Sequence, residues 1–312
     1  MKLGRLNIIT LKAGDYEADF APEVGGMLIR LSRNGVDSVN VPTDEMKLRR
    51  NPTPFGLPLL FPPNRIDGGH FTFRGREFQF ELNEAARGNS LHGFLQTRPF
   101  SVKEQSEDRL VLTFKGDESS DFFRFYPVYF TLERAYRLSE NGLEETVTIM
   151  NDGKEALPFG LGFHTAFKVD PDTKIRVSVG KRILVNERML PNGEVRELSE
   201  AERPFRAEGQ TPVAWDMDDH YTVEPIEVNG KPFHGAVIER KDAVITYEVD
   251  SFYRHWMIWN KGCCGDMICI EPQDWRINAP NLVETLGAEA GFDVLEPGES
   301  VQAVSHLSIA LK

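Results

Sequence analysis

The residues of this chain whose types and neighbours could do chemistry stand in a few short clusters. In Met267-Ile268-Cys269-Ile270-Glu271-Pro272-Gln273 an apolar run leads straight into a carboxylate. A carboxylate is costly to bury without partners, so a Glu at the end of a buried strand points to function; Pro272 is expected to stop that strand. In Phe159-Gly160-Leu161-Gly162-Phe163-His164-Thr165-Ala166-Phe167 a histidine sits among apolar residues. An imidazole, with an ordinary pKa of about 6.5, can give or take a proton near neutrality. Asn89-Ser90-Leu91-His92-Gly93-Phe94 puts a second histidine in a loop, where Gly93 permits a turn or a close approach. Finally, the proline-rich apolar run Gly56–Ile66 ends in Asn64-Arg65, a rigid loop able to present a guanidinium to a ligand. Each cluster also has an ordinary reading: a satisfied core histidine, an exposed loop histidine, a solvated arginine.

The elements that must hold these residues are strands. Tyr126, Val128, Phe130, Leu132, Tyr136 and Leu138 alternate with Tyr129, Thr131, Glu133 and Arg137, the period-2 pattern of a half-buried strand. Asn141-Gly142 predicts the hairpin turn, and 143–150 the returning strand. His70–Phe73 and Arg76–Phe80 flank Arg74-Gly75 as a second hairpin. Strands are also expected over 109–114, 174–179, 243–249, 256–259, 267–270 and 301–311, with turn residues between them. That spacing fits a sandwich rather than βαβ units. Helix is expected only over 281–286 and 199–203. The charged segment 182–206 carries no readable signal and is either a lid or an insertion. No linker, repeat or low-complexity tract divides the chain, so one domain spanning 1–312 is expected.

The clusters occur in an order that resembles the aldose 1-epimerase (galactose mutarotase-like) family. Asn64-Arg65-Ile66 followed by Gly69-His70-Phe71 resembles its N-R-I-x-x-G-x-F segment, with one extra residue in Asp67-Gly68-Gly69. Leu91-His92-Gly93 resembles L-H-G, His164-Thr165-Ala166-Phe167 resembles N-x-H-x-Y-F, and Ile270-Glu271-Pro272-Gln273 resembles L-E-P-Q. The resemblance spans about residues 20–310. It implies an all-β fold, a large antiparallel β-sandwich (the galactose mutarotase-like supersandwich) with few short helices. It implies interconversion of the α and β anomers of a hexose, with Glu271 as general base, His164 as general acid and His92 near the ring oxygen or C1. Arg65 and Asn64, an aspartate ahead of an aromatic (Asp218 or Asp219) and Gln273 would bind the sugar. Phe163, Phe167, Trp256, Trp259 and Trp275 are candidates for an aromatic platform. No cofactor and no metal are implied.

The family's galactose-specific members have a second glycine after L-H-G, where this chain has Phe94. With Arg98 nearby, that resembles the hexose-6-phosphate branch, which would need an arginine cluster drawn from Arg65, Arg74, Arg98 and Arg124. A non-catalytic carbohydrate-binding protein is the other alternative, disfavoured by the presence of both His164 and Glu271.

Composition is ordinary for a soluble globular protein. Of 312 residues 40% are hydrophobic and 27% charged, and 36 basic against 48 acidic side chains give a net charge of −12. That field disfavours nucleic acid or an anionic membrane as partner; a small-molecule sugar is expected, with the chain a monomer or homodimer. The 3 cysteines, Cys263, Cys264 and Cys269, form no disulfide framework and no common zinc pattern. The 7 histidines show neither H-x3-H nor H-E-x-x-H spacing, which argues against a zinc hydrolase. The first residues do not read as a secretory signal, no apolar run is long enough to span a bilayer, and a cytoplasmic location is expected.

Overall fold

Alternating hydrophobicity dominates this chain, and strands dominate its structure. The computed structural model describes residues 1–312. Two 8-stranded antiparallel sheets and an N-terminal 4-stranded sheet carry the fold, and α-helix is confined to Glu45–Arg50 and Ala279–Leu286. One cluster of 60 buried apolar residues, from Ile9 to Ile309, draws on all three sheets.

The first large sheet runs, in spatial order, Ser101–Gln105, Arg109–Gly116, Phe130–Ser139, Gly142–Asn151, Ser300–Leu311, Ala243–Val249, Gly235–Glu239 and Lys174–Val177. Phe130, Leu132, Tyr136 and Leu138 are buried while Thr131, Glu133 and Arg137 are not, as the pleat requires. The inward position between Leu132 and Tyr136 belongs to Arg134, which is fully buried. Its Nε donates to Glu145 Oε1 at 2.7 Å, and its Nη1 and Nη2 donate to the carbonyls of Gly25 at 2.8 Å and Leu57 at 3.1 Å. Those carbonyls belong to segments facing this sheet, so one charged side chain fastens the sandwich just upstream of Asn64-Arg65.

The second large sheet runs Pro191–Arg196, Val179–Val185, Asp218–Val223, His255–Trp259 and Met267–Gln273, followed by Gly162–Phe163 and Leu59–Leu60; Ala166–Lys168 also pairs with Met267–Gln273. Tyr221, Trp256, Ile258, Ile268 and Ile270 turn into the core. The alternate residues turn the other way and form the floor of a cleft.

Several sequence expectations shift. The strand at 267 does not stop at Pro272 but runs through it to Gln273. Ile270 N donates to Thr165 O, and the residue two further on faces the same side, where the neighbouring chain leaves the ladder at His164. Proline therefore lacks a donor only where none is needed. The expected strand 174–179 is two strands in different sheets, Lys174–Val177 and Val179–Val185, separated by Ser178. Tyr126 and Val128 are buried but precede the strand, which starts at Phe130. The hairpin turn is Glu140-Asn141, because Ser139 pairs with Gly142. Residues 199–203 form no α-helix; a 3-10 turn follows at Arg203–Arg206. Glu45–Arg50, capped by Asp44 through its bond from Lys47 N, was not expected. Much of 182–206 is a hairpin at the sheet edge. At its tip Arg188 donates to the carbonyls of Arg87 at 2.8 Å and Gly88 at 3.1 Å and pairs with Asp67 at 2.5 Å. No helix is long and apolar enough to cross a membrane.

Candidate active site

Pleat and register assemble the floor of the site. Met257 lies opposite Glu271, and Asp218 opposite Trp259. All four line a cleft of about 980 Å³, together with His164, His92, Asn64 and Arg65. The same parity separates the two candidate aspartates. Asp218 faces the cleft, whereas Asp219 is buried on the opposite face. There Arg182 pairs with it at 2.5 Å, Trp215 Nε1 donates to it at 2.8 Å and Tyr221 OH at 3.2 Å. Asp219 is thus a core ion-pair residue away from the cleft, and of the two alternatives only Asp218 lies where the expected sugar contact would be made.

His164 occupies the break between two short strands, held by its backbone N–H to the Pro58 carbonyl at 3.0 Å. Its Nε2 stands 3.1 Å from Glu271 Oε1, and both side chains are buried. Burial pulls the His164 imidazole down from 6.5 to about 4. Burial, then the neighbouring charge of Asp218, pushes the Glu271 carboxyl well above the ordinary carboxylate range. Each partner is driven toward its neutral form. A proton held by the pair can pass along the 3.1 Å contact.

A hydrogen-bonded chain orients this pair. Gln273 Nε2 donates to Glu271 Oε2 at 3.3 Å, and Asn64 Nδ2 donates to Gln273 Oε1 at 3.3 Å. Gln273 is completely buried and does not line the cleft. Its side chain therefore touches Glu271 and Asn64 and not the cleft, where the sequence reading expected a sugar contact. Asn64, in the left-handed region at φ 55, also donates its backbone N–H to His92 Nδ1 at 3.2 Å, and its carbonyl accepts from His92 N at 2.8 Å. An Nδ1 that accepts leaves the ring proton on Nε2. Burial, with the charges of His164 and Arg65, holds His92 well below its usual range, so His92 is a neutral donor. Its loop depends on Gly93: φ is +57, and a Cβ there would lie 2.2 Å from Phe61 O.

Arg65 is nearly buried and is held by Glu84, its Nε at 2.9 Å from Oε2 and Nη2 at 3.1 Å from Oε1. Nη2 also reaches Asp218 Oδ2 at 3.4 Å. Burial raises the Asp218 carboxyl despite Arg65. Glu84 was missed in the sequence because it is one carboxylate in a charged stretch; only its fold partner distinguishes it. Of the platform candidates, Trp259 lines the cleft, edge-on to His164 with ring centroids 5.6 Å apart. Phe163, Phe167, Trp256 and Trp275 are core residues. The expected arginine cluster does not converge. Arg74 pairs with Glu296, Arg98 with Asp121 and Arg124 with Glu81, all outside the cleft lining. Its cations are Arg50, Arg65, Arg87 and Lys261. All cysteines are free.

Comparisons with known proteins agree with this fold. The family model described as aldose 1-epimerase matches residues 7–308. A galactose mutarotase-like protein from Clostridium acetobutylicum superposes with a TM-score of 0.94 at 30% identity, covering 100% of this chain and 97% of that one. A galactose 1-epimerase from Lactobacillus acidophilus shares the fold at a TM-score of 0.74 and 16% identity, covering 98% and 95% of the two chains. The uncharacterized protein YphB of Escherichia coli is 29% identical over 159 residues, 51% of this chain and 52% of YphB. This chain spans about half the length of the curated relatives it matches.

Proposed function

We propose that this chain, which belongs to the aldose 1-epimerase family, is a mutarotase that opens a hexose pyranose and recloses it on the other face. The observation that carries the reading is the buried His164–Glu271 pair, 3.1 Å apart at the floor of an open cleft. Ring opening takes a proton from the C1 hydroxyl and gives one to the ring oxygen; C1–O5 breaks as C1–O1 becomes a carbonyl, and no other bond to carbon changes. With the labile proton on His164, Glu271 is a carboxylate able to accept from C1–OH while the imidazolium donates to O5. The transfer leaves Glu271 protonated and His164 neutral, the forms that burial favours. After C1 rotates, the same transfers in reverse close the ring as the other anomer. His92 supplies an N–H beside this pair, its ring centroid 5.2 Å from that of His164. Arg65 and Asp218 offer a donor and an acceptor to the sugar hydroxyls.

A phosphorylated hexose is the second reading. Its support is no longer Arg74, Arg98 and Arg124 but Arg50, Arg87 and Lys261, which line the cleft. A carbohydrate-binding protein without turnover is disfavoured by the intact acid–base pair. Polarimetric anomer exchange with glucose, galactose and glucose 6-phosphate separates the three. Acceleration of a free hexose supports the first, selective acceleration of the phosphate the second, and no acceleration with any of them sinks the mutarotase proposal.

A further inference from the structure

The thiol of Cys269 has no part in this chemistry, yet it lies in the site. Strand parity puts Cys269 two residues from Glu271 on the same face, and the ligand atoms of His164, Cys269 and Glu271 all lie within 4.8 Å of one another. All three side chains are buried. His164 and Glu271 line the cleft, so an ion entering from solvent reaches them. Beyond the thiol, Met267 Sδ lies 3.5 Å from Cys269 Sγ, adding a second soft atom. Sequence spacing gave no zinc pattern because the ligands come from different strands: Ala166–Lys168 pairs with Met267–Gln273, which sets Ala166 opposite Cys269 and brings His164 alongside.

We propose that His164, Cys269 and Glu271 form an inhibitory site for a soft divalent cation of the zinc type, which shuts the acid–base pair down while bound. One nitrogen, one thiolate and one carboxylate leave a fourth position open toward the cleft. Zinc holds such atoms at about 2.0–2.3 Å in a tetrahedron, so its ligands stand about 3–4 Å apart, a small contraction from the present spacing. Binding replaces the thiol proton and the proton shared by His164 and Glu271. Two protons leave as one M²⁺ enters, so charge balances and affinity rises with pH. With its nitrogen and oxygen on the metal, the pair cannot exchange protons with a sugar. A hard ion such as Mg²⁺, which prefers oxygen ligands, is excluded by the thiol and imidazole.

The inhibitory consequence rests on the mutarotase reading, but binding does not, so two readouts are used on the full chain. Titration with Co²⁺ is expected to give a sulfur-to-cobalt charge-transfer band in the near ultraviolet. That band should vanish in Cys269→Ala and in Cys269→Ser. Zn²⁺ is expected to raise the Tm of the parent protein and to abolish anomer exchange reversibly on chelation, with Mg²⁺ inert. The Cys269 variants keep turnover and need about 100-fold more Zn²⁺ for the same inhibition. If both variants lose their cooperative melt, the parent protein decides alone, through the Co²⁺ band and the Zn²⁺ shift in Tm. Absence of the charge-transfer band in the parent protein, or Zn²⁺ inhibition unchanged in folded Cys269→Ala, overturns the proposal. A Co²⁺ band without turnover on any sugar upholds the site and rejects the mutarotase reading instead.

Discussion

Replacing Glu271 by glutamine separates two properties that the site combines. Gln fills the same volume and can keep both neighbours: its carbonyl accepts from Gln273 Nε2, as Glu271 Oε2 does at 3.3 Å, and its amide can donate to His164 Nε2, now 3.1 Å from Oε1. What disappears is the exchangeable proton. A positioned acid–base group is worth about 10²–10⁴ in rate, or about 3–5 kcal/mol of barrier. Glu271→Gln is therefore expected to lower kcat by that factor with little change in KM, read by polarimetry on freshly dissolved α-anomer after subtracting spontaneous exchange. Stability moves the other way. Burial raises the Glu271 carboxyl, so the folded chain keeps a proton that the unfolded chain loses above about 4.5. The parent protein thus loses this contribution as pH rises above that value, and the glutamine variant does not. The Tm of the variant relative to the parent should increase from pH 5 to pH 8. Turnover within about threefold of the parent refutes the acid–base assignment; a Tm difference that shrinks as pH rises refutes the burial argument.

Asp218→Asn is expected to raise KM for the sugar, whereas Asp219→Asn leaves KM unchanged and costs about 1–3 kcal/mol of stability by stripping a charge partner from Arg182; steady-state kinetics and urea melts distinguish them. Gln273→Ala removes no cleft contact but frees Glu271 and Asn64, so kcat should fall roughly 10- to 100-fold with a smaller change in KM. Burial holds His255, hydrogen-bonding distance from His220 at 3.2 Å, down at about 3. The unfolded chain then takes up a proton first as pH falls through about 6.5, and this group removes about 2 kcal/mol between pH 7 and pH 5. A His255→Gln variant should show a shallower loss of urea-unfolding stability over that interval, and an unchanged slope rejects the assignment.

Much of the scaffold was legible because its signals are local. Period-2 burial marked the strands at 109, 130, 143, 243 and 301, and turn residues marked their ends. The errors came where a neighbour overrode the local signal. Pro272 continues a strand because the adjacent chain has left the ladder, and 174–179 divides because the two halves join different sheets. Arg134 interrupts an apolar face because carbonyls of two other segments await its guanidinium. Of the site, His92, His164, Glu271, Asn64 and Arg65 carried visible signals through unusual surroundings, helped by the order of their motifs. Glu84 did not, and three of the four arginines expected around a phosphate, Arg74, Arg98 and Arg124, are paired elsewhere.

By itself the sequence determined that this chain is a strand-rich sandwich with an acidic net charge and carries its candidate acid–base residues in short, ordered motifs, since composition and period-2 patterning are properties of neighbours along the chain. Only the tertiary structure decided where those residues stand relative to one another and to the cleft. It turned Asp218 toward the cleft and Asp219 into the core, and it placed Gln273 outside the cleft lining, hydrogen-bonded to Glu271. It also brought His164 and the Cys269 thiol to Glu271. Those outcomes depend on which face of a strand looks at which layer and on the register between strands far apart in sequence. Alternation reveals that two adjacent residues face opposite ways; packing alone reveals which way is in.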